Sequence, residues 1–159
     1  MASDLATFAR ETGGRHSNWG HPGLARLLAG VPAEEAASKP GPDLHSIWEE
    51  VNHIVHWSED VLERLEGRGT RRPQAWPPGE GGETEWKQAL ARAARLHNAI
   101  VRRVGAMSPA ALAARAPRSR RSHAQLILGW VAHVSYHAGR IALLRRLYQH
   151  ARRPAPPAV

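Results

Sequence analysis

The chain predicts an all-α fold, a four-helix bundle, on three observations. Three long stretches repeat apolar residues at the helical period. Pro- and Gly-rich punctuation separates them, and no run alternates apolar and polar residues as a half-buried strand does. Its 159 residues fit one domain, expected over residues 1–150, with a disordered basic, Pro-rich tail at 151–159.

The elements follow in order. Leu5–Glu11 predicts a short helix ended by Gly13–Gly14, and Pro22–Ala29 restarts it until Gly30–Pro32. Ser38–Pro42 reads as a loop. Ser46 and Glu49 form an S-x-x-E capping box, so a long helix opens there and runs to about Glu66, where Gly67–Gly69 stops it. Thr70–Gly82 holds Pro73, Pro77 and Pro78 and predicts a long crossing loop, which argues against a simple chain of hairpins. Another long helix covers about Thr84 to Gly105. Ser108 and Pro109 start a short one, since Pro suits the first helical position, and Arg115–Arg121 is a basic loop. A second capping box, Ser122 with Gln125, opens the last helix, which runs to about His150.

Composition removes several classes. With no cysteine, a disulfide scaffold, a zinc finger, an iron–sulfur cluster and a cysteine nucleophile are excluded. A transition-metal site would have to use His and carboxylates. The net charge of +8 raises nucleic acid as a partner. Yet the basic residues are Arg apart from Lys39 and Lys87, and no aromatics interleave with Arg118–Arg121 or Arg152–Arg153, as a single-strand binder would want. A nucleic-acid function is therefore not expected. No apolar run approaches the roughly 20 residues of a membrane span, and Met1–Arg10 is not a signal peptide. The expectation is a cytoplasmic protein without membrane contact.

The chemistry gathers on histidines. In the last helix one stripe runs Leu126, Trp130, His133, His137, Ile141, Leu144, Tyr148, with the two histidines at its centre. Four residues apart on one face, two imidazoles can grip one ion. The bland alternative is a pair of core histidines bonded to backbone or water. The helix after Ser46 offers two further candidates beside its stripe Ile47, Val51, Ile54, Val61 and Leu65. His53 lies near the edge of the stripe and is the better third ligand; His56 points nearly opposite and is the runner-up. His97 is central on the stripe Trp86, Leu90, Ala93, Ile100, Val104, as a rival ligand, a supporting residue or a core histidine. His16 and His21 are placed to line a pocket mouth. His45, His123 and His150 sit at element ends and are expected to be solvated.

Ser46–Trp57 (SIWEEVNHIVHW), followed about 80 residues later by His133–Ile141 (HVSYHAGRI), resembles the DinB-like (DinB/YfiT-type) superfamily of metal-dependent enzymes. The segment Gly20–Leu28, the stop at Leu65–Gly67, Trp76–Pro77 and Trp86 agree with it, and the similarity spans most of residues 15–148. The resemblance implies a bundle of up-down-down-up order. It also implies a divalent metal, nickel or zinc, held by three histidines. On the family pattern these fall on His53, His133 and His137, which favours His53 over His56. Two positions depart from the pattern: Val134 stands where many relatives have Asp, and Arg140 where they have Gln.

Three protein nitrogens leave coordination positions open, as in catalytic rather than structural sites. Hydrolysis by a metal-bound hydroxide is one expectation, with Glu50 or Tyr136 as candidates to assist; a zincin-type protease is not expected, because the motif is not H-E-x-x-H. Thiol transfer is the other, since relatives use low-molecular-weight thiols such as bacillithiol, mycothiol or glutathione. There Arg140 or the arginines of 115–121 would hold the carboxylates of the thiol. The non-enzymatic alternative is a metal-binding bundle with a stress-response or interaction role. Bundles of this kind pair through helix faces, so a homodimer is expected, though the sequence does not mark the face.

Overall fold

The computed structural model describes residues 2–15, 22–68 and 75–152. His16, His21 and the end of the tail lie outside them, as does part of the crossing loop. The described residues form seven helices: α1 (Ala2–Gly13), α2 (Leu24–Leu28), α3 (Ala33–Ala37), α4 (Ile47–Leu65), α5 (Glu83–Gly105), α6 (Pro109–Ala113) and α7 (His123–Ala151). Among them there is no strand, only one isolated bridge between Arg115 and Ser122 across the basic loop. The all-helical expectation holds.

Both capping boxes form. Ser46 Oγ accepts from Glu49 N, and Glu49 Oε2 accepts from Ser46 N; Ser122 and Gln125 repeat the exchange at α7. Each pair satisfies two donors that a helix start would leave bare. α4 stops at a Schellman motif. Gly67 adopts φ +77°, its N–H donates to Arg64 O, and Arg68 N–H donates to Glu63 O. A side chain at that φ would be strained, so glycine is required there.

The first stretch differs from expectation. α1 starts at Ala2, α2 keeps only Leu24–Leu28, and Ala33–Ala37 forms a helix the sequence reading did not assign. α3 is held from outside. Arg145 of α7 pairs with Glu35 at 3.1 Å and donates to Leu27 O, tying α2 and α3 to the long helix.

α1 and α4 each pack on both α5 and α7. Trp48 meets Trp86 near the starts of α4 and α5, and Arg103 Nε donates to Leu65 O near their ends, so these two run parallel. α7 runs against α4: Ser58 meets Trp130 and Glu50 meets His137. The parallel pair needs a connection that travels the length of the bundle, which is why the crossing segment is long. Its described end docks on α4. Asn52 Nδ2 donates to Pro78 O at 2.8 Å, and Gly79 lies so close to Trp48 that a Cβ would come within 2.3 Å of the indole.

His97 takes the core role among its three expectations. It sits on α5 against α1, where Gly13 leaves room for the ring (a Cβ would lie 2.2 Å from it), and it tilts against Trp130. Burial pushes its pKa down to about 4. An unfolded histidine titrates near 6.5, so between these values the unfolded chain binds more protons than the native one. Stability is therefore complete above about pH 6.5 and falls as pH drops towards 4, by at most about 3 kcal/mol. Urea denaturation at about pH 7.5 and about pH 4.5 should show this loss in the wild type and a smaller one in His97→Gln. An equal loss in both would remove His97 as its source.

Candidate metal centre

α4 and α7 cross where the histidines lie, and the crossing segment closes over them. His53 Nε2 is 3.1 Å from His133 Nε2, and His137 Nε2 is also 3.1 Å from it. The three side chains form a group able to hold one metal ion, the expected set of ligands. His56, one turn further along α4, is half-buried and outside the group.

The second nitrogen of each ring decides which atom faces inward. His53 Nδ1 contacts Ala75 O in the crossing segment. A carbonyl only accepts, so His53 carries its proton on Nδ1 and a lone pair on Nε2. His137 Nδ1 donates to Glu50 Oε2 at 2.5 Å, with the same result. Both lone pairs then point at His133 Nε2, which can donate to one of them at most. The remaining contact sets lone pair against lone pair, an arrangement that calls for a cation. A proton is a poor candidate, because burial and then the neighbouring His137 and His53 push His133 down to about 4. Burial likewise lowers His53, partly opposed by its bond to Ala75. The neutral imidazole is the metal-binding form. Two nitrogens each about 2.0–2.1 Å from one ion at a tetrahedral angle would stand about 3.3 Å apart, close to the spacing found. The residues fit a divalent ion with nitrogen ligands.

A model of the DinB superfamily matches residues 20–141. The chain belongs to the DinB superfamily. No curated protein and no solved structure matches it. The two positions where this DinB protein departs from the pattern now have surroundings. Val134 is buried beside His133 and lines, with Ile54, His97 and Trp130, the floor of a pocket of about 680 Å³ that opens to the surface beside Lys87. It offers the site no polar support. Arg140 is turned the other way, and its Nε stands 2.8 Å from Glu50 Oε1.

Glu50 is fully buried, with His137 on one oxygen and Arg140 beside the other. A buried carboxylate needs such partners, because stripping its hydration costs several kcal/mol. One of its oxygens accepts from His137 Nδ1, a contact that places it to orient that ring. No pattern within a single helix signals this contact, since Glu50 and His137 lie 87 residues apart.

The rim is aromatic. Trp76 is sandwiched between His45 and His53, with ring centroids 3.6 Å and 4.2 Å away and planes nearly parallel. His45, expected in solvent, is thus half-buried in a stack. Arg140 lies over Trp76 at 5.4 Å and over Tyr136 at 5.7 Å, and donates to Tyr136 Oη at 3.3 Å. Tyr136 stands edge-on to His137, and Trp57 flanks His53 and His133. His123 accepts a structural duty elsewhere, contacting Ala111 O at 2.9 Å between α6 and α7.

Among the described residues no helix is long and apolar enough to cross a membrane.

Proposed function

We propose that this DinB protein is a metal-dependent S-transferase that uses a low-molecular-weight thiol, with nickel or zinc held by Nε2 of His53, His133 and His137. The observation that carries the choice over hydrolysis is the engagement of Glu50. A hydrolase gains from a positioned base beside its metal-bound water, and the carboxylate that touches the cluster is buried, bonded to His137 through one oxygen and ion-paired with Arg140 at the other. Thiol transfer needs no such base.

An ion held by the three Nε2 atoms would supply Lewis acidity, lowering the pKa of a thiol that binds it. In the overall reaction the thiol sulfur would displace a leaving group from an electrophilic carbon. The C–S bond forms, the leaving group departs with the electron pair of the bond it breaks, and the thiol proton passes to solvent. The protein's own part is holding and orienting. Ala75 O and Glu50 fix two imidazoles in the tautomer that aims Nε2 inward. Trp57, Trp76 and Tyr136 exclude water on the rim, and the Arg140 cation attracts an anionic group of the thiol or its acceptor.

Elemental analysis of untagged protein, wild type beside His53→Ala, tests the site. About one equivalent of nickel or zinc in the wild type, lost in the variant with helix content retained, is the expected result. Absence of metal after incubation with both ions would return the histidines to a structural role and favour the non-enzymatic reading. A low-molecular-weight thiol should then add a sulfur-to-metal charge-transfer band to the nickel- or cobalt-loaded protein. Metal without that response would sink thiol transfer and leave hydrolysis.

A further inference from the structure

α7 carries a second apolar stripe, on the side away from the core. Leu128, Ala132, Tyr136, Gly139, Leu143 and Leu147 are all exposed, and the large ones strongly so: 50% for Leu128, 61% for Tyr136, 58% for Leu143 and 39% for Leu147. At 100° per residue the six fall on one face about 100° wide. A helix with apolar residues on both sides is one that expects a second neighbour, and among the described residues none covers this side.

The stripe identifies its own occupant. Its spacings are four, four, three, four and four residues, the same in either direction. An antiparallel copy therefore meets it in register, and sizes match as well as positions. Leu128 comes against the partner's Leu147, Ala132 against the partner's Leu143, and Tyr136 against the partner's Gly139. In the last two pairs a large side chain faces a small one. Nothing lies within 4 Å of where a Cβ on Gly139 would be, so the space that Tyr136 of the partner subunit needs is open. Small residues at Ala132 and Gly139 also permit close approach of the helices, near the lower end of the usual 8–10 Å.

Charge selects the direction. α7 has no Asp or Glu but carries Arg140, Arg145 and Arg146. A parallel pair would set each arginine beside its copy. In the antiparallel pair the two Arg140 residues stand near the axis, each ion-paired with Glu50 of its own subunit, while Arg146 comes opposite the partner's Gly129 and the two Arg146 residues stand about 25 Å apart at 1.5 Å of rise per residue. That distance exceeds the screening length of about 8–10 Å.

We propose that the chain forms a two-fold dimer through this face of α7, with the helices antiparallel and the axis passing between His137 and Ala138. The inference is independent of the metal reading. It has a consequence for the site: Tyr136 and Arg140 at its rim sit next to the axis, so the partner's α7 forms one wall of the mouth.

Sedimentation velocity of the full chain should give the mass of two copies at micromolar concentration. Gly139→Gln fills the space reserved for Tyr136 of the partner subunit while leaving the monomer unstrained. It should weaken dimerisation about tenfold or more with unchanged helix content. Register is read by cross-linking, because the natural chain has no cysteine. Leu128→Cys combined with Leu147→Cys should form a disulfide-linked dimer under mild oxidation. Either single variant should not, since each residue lies about 28 Å from its own copy. A monomer at about 100 μM would overturn the proposal and assign the face to a different protein. So would a dimer indifferent to Gly139→Gln, or cross-linking by the single variants.

Discussion

Glu50→Ala should weaken metal binding by about 10–100-fold without removing a ligand. The carboxylate fixes His137 through Nδ1, and its charge reaches the metal-facing nitrogen through the ring. Alanine leaves His137 free to rotate and to exchange tautomers, so part of the binding energy goes into ordering it. Arg140 loses its partner too, but its half-buried guanidinium can turn to solvent, which limits the loss of fold stability. Glu50→Gln separates geometry from charge. Its amide oxygen still accepts from Nδ1–H, while its neutral amide no longer attracts Arg140, so its affinity should fall between wild type and alanine. Competition titration with a chelating dye, with circular dichroism to follow helix content, measures both. Wild-type affinity in Glu50→Ala would show that the carboxylate only balances Arg140.

Trp86→Ala should cost about 3–5 kcal/mol of folding stability, the range for large aromatic truncations in a core. Trp86 is fully buried in the first turns of α5, packs against Trp48 of α4, and donates from Nε1 to Val31 O at 2.7 Å. It thus joins the parallel pair of helices to the connection between α2 and α3. The alanine variant loses the ring, leaves a cavity and strands a buried carbonyl. Trp86→Phe keeps most of the packing and loses the hydrogen bond, so about 1–3 kcal/mol is expected. Urea denaturation gives both values. A cost below about 1 kcal/mol for alanine would contradict the packing described.

What the sequence made legible was local. Ser46 with Glu49, Ser122 with Gln125 and the glycine at 67 mark helix ends by rules that act within a few residues, and the long helices lie where those rules put them. His133 and His137 were readable together because four residues on one helix make them neighbours. The rest depends on partners far away in sequence. Ala33–Ala37 is too short to show a period and is secured by Arg145. Periodicity left His53 and His56 in competition, and resemblance to a family chose between them. The structure supplies the physical distinction, since among the described residues it is His53 that meets both Ala75 of the crossing segment and His133 of α7. His97, central on its own stripe, faces α1 rather than the other histidines because α5 packs between α1 and α4. The role of Glu50 needed the antiparallel register of α4 and α7, which no single helix encodes.

The stack of His45, Trp76 and His53 makes one thermodynamic unit of the crossing segment and the ligand it touches. Ala75 O decides which nitrogen of His53 carries the proton, and Trp76 holds the ring in plane. Fraying of that segment would release the tautomer, and with it the lone pair aimed at the cluster. By linkage the reverse holds: an ion bound at Nε2 stabilises the segment by RT ln(1 + [L]/Kd), about 2.7 kcal/mol at a hundredfold excess over Kd. Order at Ala75 and Trp76 would then follow metal supply, so their amides should exchange hydrogen more slowly as the ion is added.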